Sequence, residues 1–225
     1  MNTSRRLSCR SIVFALGMSL GLAVAAPAAP NAARLTSFFR AVQLDDARTV
    51  ERMLGSQVNA NQLNPIGAEP GLVQAVREDA MGVVRVFLGH PGTDLEAQAA
   101  NGNTALMMAA FKRNRPAVEA LLAKGAKVNR PGWTALHYAA ASGDDAIVRL
   151  LLARGARVDA VSPLKSGAYT PMMMAAREGH DATALLLIAH GADRERKNSE
   201  GLTAVEIAER AGKPMVAATI ARGAR

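Results

Sequence analysis

The residues of this chain best suited to metal binding or proton transfer are its four histidines: His90, His137, His180 and His190. A helical metal motif places two ligands three or four residues apart, so that both side chains lie on one face. No two of these histidines have that spacing, and no carboxylate flanks them at the spacing of a metal-ligand motif. We therefore predict that the chain holds no metal ion and that its histidines are structural.

Carboxylates and nucleophiles are equally poor candidates for catalysis. The acidic pairs Asp45-Asp46 and Asp144-Asp145 occupy matching turns before predicted helices, where a negative charge stabilises the helix N-terminus. We interpret them as helix-start residues and not as catalytic carboxylates. The sequence also contains no G-x-S-x-G, P-loop or dinucleotide-binding motif. We therefore expect a protein that is not an enzyme and that needs no cofactor.

The elements that must position these residues belong to a segment that recurs about every 33 residues. It starts with a variant of Thr-Ala-Leu-x-x-Ala-Ala, and the four copies begin at Thr104, Thr134, Thr170 and Thr203. A Gly-Ala pair follows each threonine after 20 or 21 residues, at Gly125, Gly155, Gly191 and Gly223. The connectors from each glycine to the next threonine vary, at 9, 15 and 12 residues. A constant part joined by variable loops is typical of a repeat protein.

In its sequence motif and its period, this segment resembles the ankyrin repeat. The resemblance covers about residues 35–225, is strongest over 99–225, and implies protein binding without catalysis. It also implies an all-α fold, an ankyrin-repeat solenoid of about six helix–turn–helix units with β-turn fingers. The units span about 35–66, 67–98, 99–129, 130–162, 163–197 and 198–225. The first unit lacks the Gly-Ala pair and the second has Pro70 in place of the threonine, so we expect these two to stack more loosely.

Unit four illustrates how the local sequence specifies a helix pair. The Thr134 hydroxyl is placed to cap the first helix, and the small Ala139-Ala140 pair allows neighbouring first helices to approach closely. Gly143 interrupts the helical pattern, and Asp144 begins the second helix. Gly155 ends the second helix in the left-handed conformation.

The resemblance also assigns roles to the histidines and methionines. It implies that His137 tethers a finger to a helix and that His180 belongs to the turn between two helices. His190 precedes a helix-ending glycine, where an imidazole can bond the last carbonyls of the helix. The first helices carry a set of methionines: Met107, Met108, Met172, Met173 and Met174. Either they pack in the core or they line an adaptable groove for a partner.

The first 25 residues have the features of a secretory signal peptide. Arg5, Arg6 and Arg10 form a positive region without an acid, 12–22 is apolar, and 23–25 is an Ala-x-Ala cleavage site. The apolar run is about 15 residues, which is short for a span of roughly 20. We therefore expect export by the general secretory route, with an uncleaved anchor as the alternative.

Cleavage after residue 25 changes both the composition and the expected environment of the chain. Residues 26–34 are then interpreted as a disordered leader, and the single cysteine, Cys9, is lost with the signal. The formal net charge falls from +8 to +5, which is weak evidence for nucleic-acid binding. We expect a protein of the Gram-negative periplasm with no membrane span after cleavage, no nucleic-acid partner and a protein partner in the cell envelope.

Candidate binding residues lie at the fingers and first-helix ends of units three to five. Trp133 and Tyr169 immediately precede the motif threonines, where fingers point outward, and Phe111 follows an Ala-Ala pair at an exposed helix end. Tryptophan, tyrosine and arginine are the residues most enriched at binding hot spots. The full predicted site is Asn103, Phe111, Lys112, Arg113, Trp133, Lys165, Tyr169, Arg177 and Glu178. The alternative for Trp133 is that it folds over its own shortened finger and only packs.

The sequence therefore predicts a non-catalytic periplasmic protein-binding module. Its finger and first-helix face would bind or support an envelope protein or enzyme. The alternative is an immunity-type inhibitor that neutralises a toxin by plugging the active site of that toxin. The scaffold does not select between these functions, since one repeat architecture serves many partners.

Overall fold

The computed structural model describes residues 31–223, which form twelve α-helices and one 3₁₀ turn at Leu164–Ser166. The helices are α1 (Ala32–Gln43), α2 (Ala47–Met53), α3 (Gly71–Arg77), α4 (Met81–Gly89), α5 (Ala105–Phe111), α6 (Arg115–Ala123), α7 (Ala135–Ser142), α8 (Asp145–Ala153), α9 (Pro171–Glu178), α10 (Asp181–Ala189), α11 (Ala204–Arg210) and α12 (Pro214–Arg222). Each of the six predicted units holds one helix pair, so the predicted all-α solenoid is confirmed. Between residues 31 and 223, every helix is too short or too polar to cross a bilayer.

The first helix begins earlier than the sequence indicated. Asn31 is its N-cap, and the Asn31 side chain accepts a hydrogen bond of 2.9 Å from the Arg34 N–H. The prediction of a disordered leader over 26–34 is therefore wrong for 32–34, because a capped, alanine-rich turn extends the helix toward the N-terminus. Residues 1–30, which include the predicted signal peptide and the rest of that leader, lie outside the described residues.

Short polar side chains begin most of the helices. Thr170 Oγ1 accepts from the Met173 N–H at 3.3 Å, and Thr203 Oγ1 accepts from the Glu206 N–H at 3.4 Å. In the second helix of unit four, Asp144 Oδ1 accepts from the Ile147 N–H at 3.0 Å. These bonds satisfy N–H groups that have no partner within the helix.

The first helices of the units form one row, and the second helices form the other. Ala139 and Ala140 are fully buried where α7 meets its neighbours, and from unit two onward consecutive first helices contact one another more extensively than consecutive second helices. The two rows enclose a core in which Ile147 and Leu151 are completely buried. Because the first helices approach more closely, the stack curves with their row on the concave side.

Units one and two are joined by specific buried contacts, although their helices contact each other less extensively than those of units three to six. Phe38 is almost completely buried, and its ring centroid lies 6.3 Å from that of Phe87 in an edge-to-face contact across the two units. The buried Gln74 amide donates to the Phe39 carbonyl at 3.2 Å and accepts from the Asn64 amide at 2.8 Å. The missing Thr and Gly-Ala signals are therefore compensated by buried aromatic rings and a buried amide.

Acidic residues at the turns also join each unit to the next. Asp45 accepts hydrogen bonds from the Gly82 and Val83 N–H groups at 3.2 and 2.8 Å, at the start of α4. Asp145 accepts from the Thr183 hydroxyl at 2.6 Å. The interpretation of the acidic pairs as helix-start residues is confirmed, and one member of each pair serves the helix of the following unit.

Two glycines in left-handed conformations provide a matched test of this packing. Gly143 (φ +69°) lies against the His180 ring, where an added Cβ would come 2.5 Å from Nδ1, whereas Gly155 (φ +81°) has free space around it. We expect Gly155→Ala to lower the free energy of unfolding by about 1–2 kcal/mol through backbone strain alone. Gly143→Ala should lower it further, because the His180 ring must also move. Denaturant melts that show equal losses would contradict this contact.

Candidate functional site

An aromatic cluster lies on the concave side of units three to five, with Tyr138 at its centre. The Tyr138 ring centroid is 6.2 Å from that of Phe111 and 6.1 Å from that of Trp133. The Tyr138 hydroxyl donates to Asn103 Oδ1, and burial raises the pKa of this hydroxyl, so it remains a donor. One fixed tyrosine thus links side chains from two units.

A small cavity opens beside this cluster, between α7, α9 and the long finger that joins units four and five. Its volume is about 250 Å³, and it is lined by Trp133, His137, Tyr138, Ser166, Met174 and Arg177. Ser166 belongs to the 3₁₀ turn, so the connector between α8 and α9 forms one wall of the cavity. The cavity is smaller than the roughly 300–1,000 Å³ of ordinary small-molecule pockets. Its size suits one side chain. We call the surface formed by Phe111, Trp133, Tyr138, Tyr169, Met174 and Arg177 the aromatic groove.

Trp133 and Tyr169 are half-buried, so the expectation that both point outward is wrong in part. The Trp133 ring lies 5.2 Å from the His137 ring, in an edge-to-face contact. The Tyr169 ring covers Gly167 so closely that a Cβ at Gly167 would collide with it. Each ring packs against neighbouring residues and remains partly exposed, so Trp133 does pack as its alternative proposed, and the contact of both rings with a partner stays a prediction.

Arg177 carries the positive charge of the aromatic groove. Its guanidinium carbon lies 5.4 Å from the Tyr169 ring centroid, which is within the range of a cation–π interaction. Nε and Nη2 of Arg177 each lie 2.9 Å from Glu178 Oε1. The Arg177 side chain is 43% exposed, so the cation is held in position and still reaches solvent.

The other predicted site residues have different environments. Asn103 is buried and accepts a hydrogen bond from the Tyr138 hydroxyl, so it orients Tyr138 and offers little surface of its own to a partner. Arg113 is exposed, has a left-handed backbone (φ +57°) and donates to the Ser142 carbonyl of the next unit. Lys112 and Lys165 are exposed, at the end of α5 and in the 3₁₀ turn.

His137 connects the floor of the aromatic groove to the finger of the next unit. Its Nδ1 accepts from the Thr134 N–H at 3.2 Å, which leaves Nε2 to donate to the Tyr169 carbonyl at 3.0 Å. Burial lowers the pKa of His137 from 6.5 to about 4, so the imidazole is neutral at pH 7. The predicted tether between finger and helix is confirmed by these bonds.

The other three histidines also make local contacts. His180 Nε2 lies 3.1 Å from the Ala141 carbonyl, and His190 Nδ1 lies 2.8 Å from the Leu186 carbonyl. His90 Nδ1 accepts from the Gly92 N–H at 3.1 Å. Within the described part of the chain, no three His, Cys, Asp or Glu side chains are grouped as metal ligands would be.

Sequence reasoning missed Ser166 and the central role of Tyr138 in this site, and it left open whether Met174 packs in the core or lines a groove. Their positions within the repeat could have identified Tyr138 and Met174 as site residues, since Met108, Tyr138 and Met174 each stand four residues after a motif threonine. Helical positions that repeat in register form a row along a solenoid. Of the methionines, Met107, Met172 and Met173 are buried in the core, whereas Met174 also lines the cavity. Ser166 had no such signal, because it lies in a connector and not at a helical position that recurs in the repeat.

Comparison with known proteins gives matches over most of the described residues. The family model of ankyrin repeats in three copies matches residues 38–131 and 72–162, and the single ankyrin repeat model matches residues 169–199. Neurogenic locus notch homolog protein 1 of Xenopus tropicalis is 36% identical over 109 residues, which cover 47% of this chain and 4% of that protein. Neurogenic locus notch homolog protein 2 of Homo sapiens is 35% identical over 126 residues, which cover 53% of this chain and 5% of that protein. The chain thus spans about a twentieth of the length of these curated relatives.

Proposed function

Because this chain belongs to the ankyrin repeat family, we propose that it is a non-catalytic binding module whose aromatic groove contacts a protein partner. Ankyrin repeats are in general protein–protein interaction modules. The observation that carries the assignment to this surface is the cluster of Phe111, Trp133, Tyr138 and Arg177 on the concave side. Rings already held by neighbouring side chains lose little conformational freedom on binding, so more of their contact energy contributes to affinity.

We further propose that the partner is a protein or enzyme of the cell envelope and that the chain reaches it by export to the periplasm. The support is the charged, apolar and Ala-x-Ala segments of residues 1–25. N-terminal sequencing of the native protein tests the export step. We expect the mature chain to start at Ala26, and a chain that keeps Met1 in the membrane fraction would overturn this localisation.

The binding function is tested by recovering the partner and measuring its affinity for groove variants. The wild-type protein would be used to capture partners from an envelope extract, and Kd would then be measured with the purified partner. We expect Trp133→Ala and Tyr169→Ala each to weaken binding by about 1–3 kcal/mol, the usual range for hot-spot aromatics. Both should also lower stability by about 1 kcal/mol, because both rings are half-buried.

A distant exposed residue provides the control for this measurement. Met215→Ala changes a side chain that is 74% exposed on α12, outside the aromatic groove, and should leave Kd unchanged. If both aromatic variants were folded and bound the partner with the wild-type Kd, the binding surface would have to lie elsewhere on the protein. Recovery of a single toxin whose active site becomes blocked would instead favour the inhibitor.

A further inference from the structure

We propose that the aromatic groove recognises a short extended segment of its partner in which one bulky apolar side chain stands next to a carboxylate. The apolar side chain would fill the cavity between Trp133 and Met174, and the carboxylate would pair with Arg177. This inference rests on the proposed function and specifies the chemistry of the partner that the groove accepts.

The cavity itself argues for a single apolar side chain. At about 250 Å³ it has room for one aliphatic or aromatic group. An indole, a phenol and a thioether form part of its wall, and the polar groups of Ser166, His137 and Arg177 form the rest. The imidazole of His137 presents no charge to it at pH 7, since both ring nitrogens are engaged by Thr134 and Tyr169. A cationic side chain that entered this cavity would lose hydration and meet the like charge of Arg177.

The rim of the cavity argues for a neighbouring carboxylate. Arg177 lines the cavity and is held by Tyr169 and Glu178, while remaining 43% exposed. Glu178 bonds Nε and Nη2 of Arg177, which leaves the Nη1 side of the guanidinium available to an incoming anion. A charge-assisted hydrogen bond to a guanidinium is among the stronger contacts that an interface can make.

The wider charge of the groove favours the same kind of partner. The fingers beside units four and five carry four exposed or partly exposed cations: Lys127, Arg130, Arg157 and Lys165. Their acidic residue, Asp159, accepts from the Asp193 N–H at 3.1 Å and so serves the next finger. An acidic segment would be drawn toward this surface, and a basic segment would be repelled.

A displayed library of random peptides, selected on the purified protein, tests this chemistry without knowledge of the partner. We expect the enriched peptides to share a bulky apolar residue next to aspartate or glutamate. Binding of a synthetic enriched peptide can be followed by intrinsic fluorescence, because Trp133 is the only tryptophan and lines the cavity. Peptides without an acidic residue, or failure to enrich any peptide, would overturn the inference.

Two charge variants sharpen the test because their expected effects have opposite signs. Arg177→Gln should weaken binding of the enriched peptide by about tenfold or more, since one charge-assisted hydrogen bond is lost. Glu178→Gln should strengthen binding of the same peptide, because it removes the carboxylate that competes for Arg177. Equal affinities of wild type and Arg177→Gln would overturn the inference. If the enriched peptides lack the acid but still lose affinity in Trp133→Phe, the proposed binding function stands and only this partner chemistry fails.

Discussion

Leu151→Asp is expected to lower the free energy of unfolding by several kcal/mol and to disrupt the middle of the array. Leu151 is completely buried between the helix rows of unit four, and the substitution would place an unpaired carboxylate there. Since each unit is stabilised mainly by its two neighbours, the loss should spread to units three and five. Circular dichroism melts would show a large fall in Tm with loss of helical signal.

The same substitution at Leu164 is the matched control for this prediction. Leu164 is 76% exposed in the 3₁₀ turn, so Leu164→Asp adds the same charge without burying it. We expect its melting curve to follow that of the wild type closely. If Leu151→Asp also melted like the wild type, the assignment of helices to the core of unit four would be wrong.

The stability of the protein is expected to fall as the pH is lowered from 6.5 toward 4, because of His137. In the folded protein the pKa of His137 is about 4, whereas its ordinary value is 6.5. Between these two values the unfolded chain binds a proton that the folded protein does not, so protonation favours unfolding. The stabilisation is fully present above pH 6.5. Its loss by pH 4 amounts to about 3 kcal/mol, from 1.36 kcal/mol per unit of pKa shift.

The contribution of His137 is isolated by comparing pH profiles of variants. His137→Gln has no titrating imidazole, so its urea-unfolding free energy should depend less on pH between 4 and 6.5 than that of the wild type. Its stability at pH 7 should also be lower, because the Thr134 and Tyr169 groups lose their partner. His190→Gln removes one imidazole elsewhere in the chain and shows what the replacement of a histidine does by itself. Parallel profiles for wild type and His137→Gln would contradict the prediction.

Much of the fold could be predicted because the repeat encodes it locally. The motif threonines, the Ala-Ala pairs and the helix-ending glycines specify where each helix begins, packs and ends. The start of α1 was missed because it depends on one cap, Asn31, that precedes the recognisable pattern. The contacts that join units one and two were also missed, since they depend on Phe38, Phe87 and Gln74, which lie outside the repeat motif.

The candidate site was only partly predictable for a related reason. The chain positions of Trp133 and Tyr169 follow from the repeat, but the direction of each ring depends on the side chains packed around it. Trp133 is oriented by His137 and Tyr138 of the following helix, and Tyr169 is oriented by Gly167 and Arg177. These contacts depend on residues particular to units four and five, so periodicity alone could not show that both rings are half-buried.

The alanine pairs of the first helices have a mechanical consequence for binding. Ala109-Ala110, Ala139-Ala140 and Ala175-Ala176 are all fully buried, and their small side chains allow the inner row to close up while the outer row stays wider. The spacing of the first helices, and with it the curvature of the stack, is therefore set by buried methyl groups that a bound partner does not contact. A partner with a flatter surface can contact the whole row only if the stack straightens. The free-energy cost of that change is shared among neighbouring units. Enlarging a single alanine would thus retune affinity at a distance while every binding side chain stayed the same.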